Sequence, residues 1–230
     1  MSKRAMAIVA HCDDIEFGCA GTIATWVRDG YEVMYVICTD SSKGSEDPNI
    51  GRDQLVELRE AEQRASAKIV GVSEIVFLPY ADGDLRDDDS LRRDLCRLIR
   101  SWKPERVITF DPSMRWSPGG YVNHPDHIAV GNAALTAVYP FARNRPTYPE
   151  LLAEGLEPFT VSELWMYSFG DPNRWVDISS TIDLKIAALR AHASQMKTWD
   201  PEPMVRAWAK RGGAGQLIDA AETFRVLKLD

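Results

Sequence analysis

Short apolar segments alternate with longer amphipathic segments through the first two thirds of the chain. Four of the short segments are apolar along most of their length, as strands covered on both faces of a sheet are. These are residues 5–10, 32–38, 74–78 and 106–110. Because helical segments separate these strands, the pattern predicts an α/β fold with a mostly parallel central sheet.

Helices are predicted between the strands. The clearest covers residues 54–70, where apolar positions recur at helical spacing and Gly71 is placed to end the helix. A second runs from Ser90, a suitable N-cap, to residue 102. A third begins near Pro125 and continues towards residue 138, since the missing N–H of a proline would be unpaired in the first helical turn anyway.

The last third of the chain is less regular. Residues 162–168 are predicted to form a strand and residues 179–194 a helix. Residues 201–228 are predicted to form helical pieces, separated by a cluster of glycines at 212, 213 and 215. The segment 140–158 contains four prolines and is predicted to be a loop, which either caps a site or only connects two elements.

Composition limits the class of protein and its partners. With 230 residues, of which 45% are apolar, the chain can form one domain over residues 1–230 with a sizeable core. The net charge is −7 and the basic residues are scattered among acids, which argues against nucleic acid and anionic membranes as partners. No segment has the length and apolarity of a membrane span or a secretory signal, so a cytoplasmic location is expected.

Two polar clusters hold three of the four histidines of the chain. The segment His11-Cys12-Asp13-Asp14 directly follows the first predicted strand, and the segment 123–127, Asn-His-Pro-Asp-His, opens the third predicted helix after the fourth strand. In open α/β sheets, ligands bind in the crevice at the carboxyl ends of the strands. We therefore expect the two clusters to meet at one edge of the sheet.

The side chains of these clusters suit a catalytic metal ion. Two imidazoles and one carboxylate, from His11, His127 and Asp14, can hold a divalent ion such as zinc and leave a position open for water, whose pKa the ion lowers. The spacing alone does not select zinc over iron, manganese or nickel. Asp13 is then placed as the general base, and His124 can donate to the developing oxyanion or protonate the departing amine. Asp126 can orient one of the imidazoles.

The same residues carry a resemblance to a known family. Residues 10–22, Ala-His-Cys-Asp-Asp-Ile-Glu-Phe-Gly-Cys-Ala-Gly-Thr, resemble the AHPDDxEFGxGGT motif of the PIG-L/LmbE-like de-N-acetylases, and residues 124–127 match their HPDH motif. Residues 58–62, 80–85 and 189–195 are also similar to landmarks of the family. The resemblance covers most of the chain and implies a single de-N-acetylase domain with a Rossmann-like three-layer sandwich.

The resemblance also implies an activity and a set of site residues. It implies zinc on His11, Asp14 and His127, with Asp13 as the base and His124 as the partner of the oxyanion or the leaving group. The reaction would be hydrolysis of an N-acetyl or related amide on a small N-acylated substrate, often a glucosamine derivative. By analogy with the family, Arg59 and Asp82 would bind the substrate. His192 would reach the substrate region at a subunit boundary of a homo-oligomer.

This sequence departs from the family pattern at two positions. Cys12 stands where the family usually has proline, and Ala20 stands where a glycine is common. Neither position supplies a metal ligand, but the turn that aims Asp13 and Asp14 loses the fixed φ of proline. Cys12 beside a histidine would also fit a thiol hydrolase, although no separate base is arranged for it. With no CxxC pair in the chain, we expect its four cysteines to be reduced thiols.

Three other functions compete with an amino-sugar deacetylase. Within the same chemistry, the chain could be an amidase of a thiol-sugar conjugate or of a secondary-metabolite intermediate. The glycines at 18 and 21 after the first strand suggest a non-catalytic nucleotide- or ligand-binding protein, but they lack the first glycine of the GxGxxG fingerprint. Close helix packing explains them equally well.

The tryptophans at 116, 165, 175, 199 and 208 are candidates for the core or an interface, and Trp116 is a candidate for lining a sugar-sized pocket.

Overall fold

One mixed sheet forms the centre of the structure, a computed structural model that describes residues 3–45, 47–116, 120–167 and 171–229. Within these residues the sheet has seven strands. The strands are β1 (Lys3–Val9), β2 (Tyr31–Thr39), β3 (Glu74–Tyr80), β4 (Arg106–Phe110), β5 (Glu163–Tyr167), β6 (Arg174–Asp177) and β7 (Ala221–Lys228). The first four agree with the strands predicted from apolar pattern.

The order of the strands places a crevice beside β1. The order is β3-β2-β1-β4-β5-β7-β6, and all neighbours from β3 to β5 are parallel, whereas β7 is antiparallel to both β5 and β6. From β1 the chain continues to β2 on one side, whereas β4 lies on the other side of β1, so the direction in which strands are added changes between β1 and β4. The loops that follow β1 and β4 border this point. Ligands of open α/β sheets usually bind there. The predicted α/β class with a mostly parallel sheet is confirmed.

Helices cover both faces of this sheet. They are α1 (Asp14–Gly18), α2 (Ala20–Arg28), α3 (Arg52–Ile69), α4 (Asp89–Trp102), α5 (Pro125–Thr136), α6 (Pro149–Ala153), α7 (Ile182–Arg190) and α8 (Glu202–Gly213). Alternate side chains of β1 enter different cores, since Ala7 and Val9 pack with α2 and α7, whereas Met6 and Ile8 pack with α4 and α5. This is the predicted three-layer sandwich. None of the described helices combines the length and apolarity needed to cross a membrane.

Two glycines allow the first helices to approach the far half of the sheet. A Cβ atom on Gly18 would lie 2.8 Å from the ring of Tyr167, and one on Gly21 would lie 2.9 Å from Ile178. Both distances are shorter than van der Waals contact allows. Helix packing is therefore the physical reason for these glycines, which removes the main support for a nucleotide-binding loop.

The prediction that residues 201–228 are all helical is wrong in its second half. Helix α8 ends at Gly213, within the predicted glycine cluster, but residues 221–228 form β7. The segment Ala-Glu-Thr-Phe-Arg-Val-Leu-Lys alternates side chains across a strand, and it buries Phe224 and Val226 between β5 and β6. Because this segment also contains charged residues, its alternation of buried and exposed positions was not recognised from the sequence. The four-residue strand β6 was not predicted at all.

The segment 140–158 is also more ordered than a loop. A π-helical turn (Ala137–Phe141) extends α5, and α6 forms at Pro149–Ala153. The fully buried Arg100 of α4 donates hydrogen bonds to the carbonyl oxygens of residues 141, 142, 144 and 147 at 2.9–3.1 Å. These bonds hold the segment against the rest of the α/β sandwich. The segment does not line the cavity of the candidate active site, which is described below.

Smaller corrections concern the ends of elements. The N-cap of α4 is Asp88, whose carboxylate accepts a hydrogen bond from the N–H of Leu91 at 3.0 Å, and not Ser90. The predicted helix 179–194 is limited to Ile182–Arg190. The predicted strand 162–168 is β5, and its last predicted residue, Ser168, lies outside the described residues.

A buried ion pair joins the two ends of the sequence. The Nζ atom of Lys185 lies 2.5 Å from Oε1 of Glu222 and donates to the carbonyl oxygen of Phe17 at 2.8 Å. Glu222 also accepts the N–H groups of Gly21 and Thr22 in the first turn of α2, at 3.1 and 2.7 Å. The carboxylate thus caps the positive end of a helix and neutralises an ammonium group in the interior.

We expect removal of the cation from this pair to destabilise the fold strongly. In Lys185→Met, Glu222 keeps its charge in the interior without a counter-ion, and the free energy of unfolding should fall by about 3–5 kcal/mol. Urea denaturation followed by circular dichroism measures the change. Adding Glu222→Gln to this variant should restore part of the loss, because it removes the buried charge while the single amide oxygen can still accept one of the two α2 N–H groups.

The exposed ion pair between Arg206 and Asp183 supplies the control. Because the side chain of Asp183 is 83% exposed, Asp183→Asn should leave the unfolding midpoint almost unchanged. Equal shifts in Lys185→Met and Asp183→Asn would contradict a stabilising role of the buried pair.

Candidate active site

The structure brings the two polar clusters together at the carboxyl ends of β1 and β4. The ring centroids of His11 and His127 are 5.3 Å apart, and those of His11 and His124 are 4.7 Å apart. Helix α5 begins at Pro125, as predicted, and this start directs the side chains of the second cluster towards the turn after β1. The two clusters therefore form one site.

The turn after β1 is held by hydrogen bonds. Asp13 adopts a left-handed conformation with φ 97°, which aspartate tolerates better than most residues. Its N–H donates to Oε1 of Gln63 at 3.0 Å, and the N–H of Cys12 donates to Oγ of Ser41 at 2.9 Å. Asp14 closes the turn by accepting the N–H of His11 at 2.7 Å. These contacts stabilise the turn at the position where the family usually has proline.

Asp14 contacts both predicted metal-binding imidazoles. Its Oδ1 lies 3.1 Å from Nε2 of His127, and its Oδ2 lies 3.5 Å from Nδ1 of His11. Donors on a tetrahedral ion with bonds of about 2.0–2.1 Å are roughly 3.3 Å apart. Asp14 thus lies close to each of the two imidazoles, and the ligand atoms of His11, His124 and His127 lie within 4.8 Å of one another, as do those of His11, Asp82, His124 and Asp126. The clusters together form a candidate His/Asp metal site.

The other ring nitrogens of these imidazoles also have partners. Nε2 of His11 lies 3.2 Å from Oδ2 of Asp126 and 3.2 Å from Oδ1 of Asp82. Nδ1 of His127 lies 3.2 Å from Oδ1 of Asn123. Such contacts fix the orientation of imidazoles that bind metals. No role was predicted for Asn123 from the sequence, although it lies one helical turn before His127.

The electrostatics of the cluster favour a bound cation. Burial lowers the pKa of His11, but the carboxylates of Asp126, Asp14 and Asp82 outweigh it and raise the value to about 12. Burial likewise raises the pKa of Asp14, and the imidazoles of His127 and His11 pull it well below its usual range. The negative charge of these carboxylates around His11 therefore suits a positively charged ligand.

Asp126 is buried behind His11 and does not line the cavity. Its carboxylate accepts the N–H groups of Gly83 and Leu85 at 2.7 and 3.2 Å, which fixes its position beside the ring. The side chain is about 1% exposed. This position agrees with the predicted orienting contact to an imidazole and leaves no direct contact with a substrate.

Asp13 lines the cavity beside the candidate metal-binding cluster. Burial and the neighbouring charge of Asp14 raise its pKa to about 7, although the hydrogen bond from Gln195 lowers it. The side-chain amide of Gln195 donates to Oδ2 of Asp13 across a short contact. Gln195 lies far from Asp13 in the sequence, in an irregular segment after α7, so no local pattern indicated this partnership.

His124 is held as a donor towards the cavity. Its Nδ1 accepts the N–H of Asp126 at 3.2 Å, which leaves the proton of the neutral ring on Nε2. Burial and the positive charge of His11 lower the pKa of His124 and favour this neutral form. The ring lies at the N-cap of α5, is 42% exposed and lines the cavity.

Two of the three predicted substrate-binding residues line the cavity, which has a volume of about 660 Å³. Arg59 is only 5% exposed, and its Nε has no hydrogen-bond partner among the described residues. Asp82 is buried, accepts the N–H of Lys43 at 2.8 Å and contacts His11. Arg59 does not extend into bulk solvent, as an arginine on a surface helix would.

The third predicted substrate-binding residue, His192, does not reach the cavity. Its side chain is fully buried, and Nε2 lies 3.3 Å from Oε2 of Glu16 in the interior. The amide of Gln63 and the hydroxyl of Ser66 donate to the other oxygen of Glu16 at 2.9 and 2.8 Å. This packing corrects the expectation for His192, both as a substrate-binding residue and as a residue at a subunit boundary.

The geometry also argues against Cys12 as a nucleophile. The residue lines the cavity but is only 2% exposed. Burial raises the pKa of its thiol to about 12, so the thiol is not ionised at neutral pH. The other three cysteines, at 19, 38 and 96, are buried free thiols, as predicted.

Proteins of known sequence are similar to this chain. The family model PIG-L, described as GlcNAc-PI de-N-acetylase, matches residues 6–138. Diacetylchitobiose deacetylase of Thermococcus kodakarensis is 32% identical over 204 residues, which cover 86% of this chain and 74% of that protein. A probable N-acetyl-α-D-glucosaminyl L-malate deacetylase 2 of Bacillus anthracis is 29% identical over 203 residues, which cover 85% of this chain and 83% of that protein.

A solved structure extends the similarity to the whole fold. N,N′-diacetylchitobiose deacetylase from Pyrococcus horikoshii matches with a TM-score of 0.90 and 33% identity, over 99% of this chain and 84% of that one. The family model covers more than half of the chain, and these relatives are named deacetylases. The chain therefore belongs to the PIG-L family of de-N-acetylases and is a hydrolase of the N-deacetylase type.

Proposed function

We propose that this protein removes the N-acetyl group of a small amino sugar or amino-sugar conjugate, using zinc bound by His11, Asp14 and His127. The observation that carries the proposal is the position of Asp14, which contacts both imidazoles while the adjacent Asp13 faces the cavity. Bound zinc would polarise the amide carbonyl and lower the pKa of a water molecule. The protein side chains perform the remaining steps.

Asp13 acts as the general base in this proposal. It takes a proton from the water whose oxygen attacks the carbonyl carbon. Gln195 holds the carboxylate in position, and Gln63 accepts the backbone N–H of Asp13. The C–N bond then breaks, and the proton passes to the departing nitrogen. The products are acetate and a free amine on the sugar.

His124 stabilises the negative charge that develops on the carbonyl oxygen. Because its Nδ1 accepts a backbone N–H, the ring presents Nε2–H to the cavity as a neutral donor. This tautomer supports the role of oxyanion donor over that of an acid that protonates the amine. Asp126 and Asn123 keep the imidazoles of His11 and His127 in position.

Arg59 and Asp82 are proposed to bind the sugar hydroxyls beside the reacting amide. Both residues line the cavity and bring a donor and an acceptor to it, and no described residue accepts a hydrogen bond from Nε of Arg59. The names of the relatives point to substrates that contain N-acetylglucosamine. The expected cytoplasmic location and the homo-oligomer stay predictions of the sequence.

Substitutions should separate the base from the metal ligands. Asp13→Asn keeps the size of the side chain but cannot accept the proton, so amine release should fall by about 10²–10⁴-fold while zinc remains bound. His127→Ala should lose both zinc and activity. Elemental analysis of each purified variant and an amine-release assay on N,N′-diacetylchitobiose measure the two effects.

The surface variant Asp183→Asn is the control for these measurements and should keep both zinc and activity. Full activity in Asp13→Asn, or unchanged zinc content in His127→Ala, would refute the assignment of roles.

Removal of the metal should abolish activity and lower stability together. We expect chelator-treated protein to release no amine and to unfold at a lower temperature, because a ligand that binds only the folded state stabilises it. Re-addition of zinc should restore both, and thermal unfolding at increasing free zinc measures the binding without any substrate. Iron, manganese and nickel tested in the same way compare the candidate metals. Activity that persists in fully metal-free protein would overturn the mechanism.

Loss of the Arg59 guanidinium should weaken substrate binding. A hydrogen bond from a charged group contributes about 1.5–3 kcal/mol, so Arg59→Ala should lower kcat/KM roughly 10- to 100-fold, mainly through KM. Arg64→Ala is the matched control, because Arg64 lies on the same helix and is 56% exposed. Steady-state kinetics test both variants. Equal kinetics of Arg59→Ala and wild type would show that Arg59 does not contact the substrate.

A further inference from the structure

The irregular segment after α7 lines the cavity, whereas the tryptophan expected there does not. Residues 194–199 belong to the lining, and Gln195 among them donates to the carboxylate of Asp13. Trp116 is 73% exposed, belongs to an isolated β-bridge with Val122 and does not line the cavity, which corrects its place as the candidate pocket tryptophan. The partner of the proposed base thus comes from a segment without a helix or a strand to fix it.

A tight turn sets the backbone of this segment. The N–H groups of Gln195 and Met196 donate to the carbonyl oxygen of His192 at 2.9 and 3.1 Å. Ser194 lies inside this turn and directly precedes Gln195, whose amide contacts Asp13. A displacement of Ser194 would therefore move the amide of Gln195 away from the carboxylate that it holds.

Glu62 of α3 holds Ser194 through two hydrogen bonds. Its Oε1 accepts the N–H of Ser194 at 2.6 Å, and its Oε2 accepts the hydroxyl at 2.7 Å. The two residues are 132 positions apart in the sequence. Hydrogen bonds to a carboxylate are stronger than those between neutral groups, so this contact fixes both the backbone and the side chain of Ser194.

The buried face of α3 is polar around Glu62. Glu62 is only 8% exposed, and its two side-chain hydrogen bonds among the described residues both come from Ser194. One position further along, Gln63 is fully buried and accepts the N–H of Asp13. Helix α3 thus reaches Asp13 by two routes. Gln63 holds its backbone directly, and Glu62 reaches its carboxylate through Ser194 and Gln195.

We propose that Glu62 is a positioning residue for the general base, because it holds Ser194 and thereby keeps the amide of Gln195 on the carboxylate of Asp13. The inference rests on the proposed role of Asp13 as the base. Glu62 does not line the cavity, so it acts through Gln195 and not on the substrate. An Asp13 side chain without this support would take the orientation needed for proton transfer less often.

Kinetics of Glu62 variants test the positioning role. We expect Glu62→Ala to lower kcat for N,N′-diacetylchitobiose about tenfold or more, with KM changed less than about twofold, because the base is misplaced while the sugar still binds. Zinc content should stay the same. Glu62→Gln should recover most of kcat, since its amide oxygen can accept the N–H of Ser194 and its amino group can donate to the hydroxyl.

Glu57→Ala is the matched control, because Glu57 is an exposed acid on the same helix, and it should leave kcat and KM unchanged. Ser194→Ala removes only the hydroxyl bond and keeps the buried carboxylate of Glu62 in place. It should lower kcat less than Glu62→Ala does, and it serves as the test if Glu62→Ala does not fold.

A double variant separates positioning from a general loss of structure. If Glu62 acts through Gln195, adding Glu62→Ala to Gln195→Ala should lower kcat further by less than about twofold, because the contact with Asp13 is already lost. The inference is overturned if the two losses multiply, if Gln195→Ala has the kcat of the wild type, or if Glu62→Ala raises KM and leaves kcat unchanged.

A measurement without turnover separates this inference from the proposed function. The exchange of the Gln195 side-chain amide protons with water can be followed by NMR on the zinc-loaded protein, with the signal identified by its loss in Gln195→Ala. Exchange should be about tenfold faster in Glu62→Ala than in the wild type or Glu57→Ala, because the amide is no longer held on Asp13. If the wild type releases no amine, the proposed function fails, but faster exchange in Glu62→Ala still supports the contact. Unchanged exchange in Glu62→Ala would overturn it.

Discussion

The carboxylate of Asp14 is the contact on which the site depends. It lies between an imidazole from the turn after β1 and an imidazole from α5, at 3.5 and 3.1 Å, so it joins two segments that are more than a hundred residues apart. Burial of this charge is tolerated only because His11 and His127 compensate it. The same arrangement concentrates negative charge around His11, where Asp82 and Asp126 also converge. The fold of the sandwich thus brings the side chains of the candidate metal site together.

The parallel half of the molecule could be predicted from the sequence because its signals are local. Strands β1 to β4 are apolar on both faces, and helices α3 to α5 carry regular spacing and clear boundary residues. The position of the two clusters then followed from sheet topology, since residues after β1 and β4 must share one edge. The orienting contact of Asp126 was also expected from its place in the second cluster.

The remaining features depend on contacts between distant segments. Strand β7 contains polar residues that obscure its alternating pattern, and it forms because it pairs with β5. Strand β6 is too short to show a pattern. His192 could not be distinguished from a substrate-binding histidine, because only the packing against Glu16 shows that it is buried. Gln195 and Gln63 hold Asp13 from elements far along the chain, and nothing in the sequence near them indicates that role.

The link between Glu222 and α2 has a consequence for synthesis. Gly21 and Glu222 are separated by 201 residues, and at roughly 5–20 residues per second the ribosome needs about 10 to 40 seconds to reach from one to the other. During this interval the first turn of α2 lacks its acceptor, and β5 lacks its neighbour β7. An uncovered strand edge is a template for pairing with other chains. The edge of β5 therefore has to be shielded from other chains until β7 has been synthesised and pairs with it.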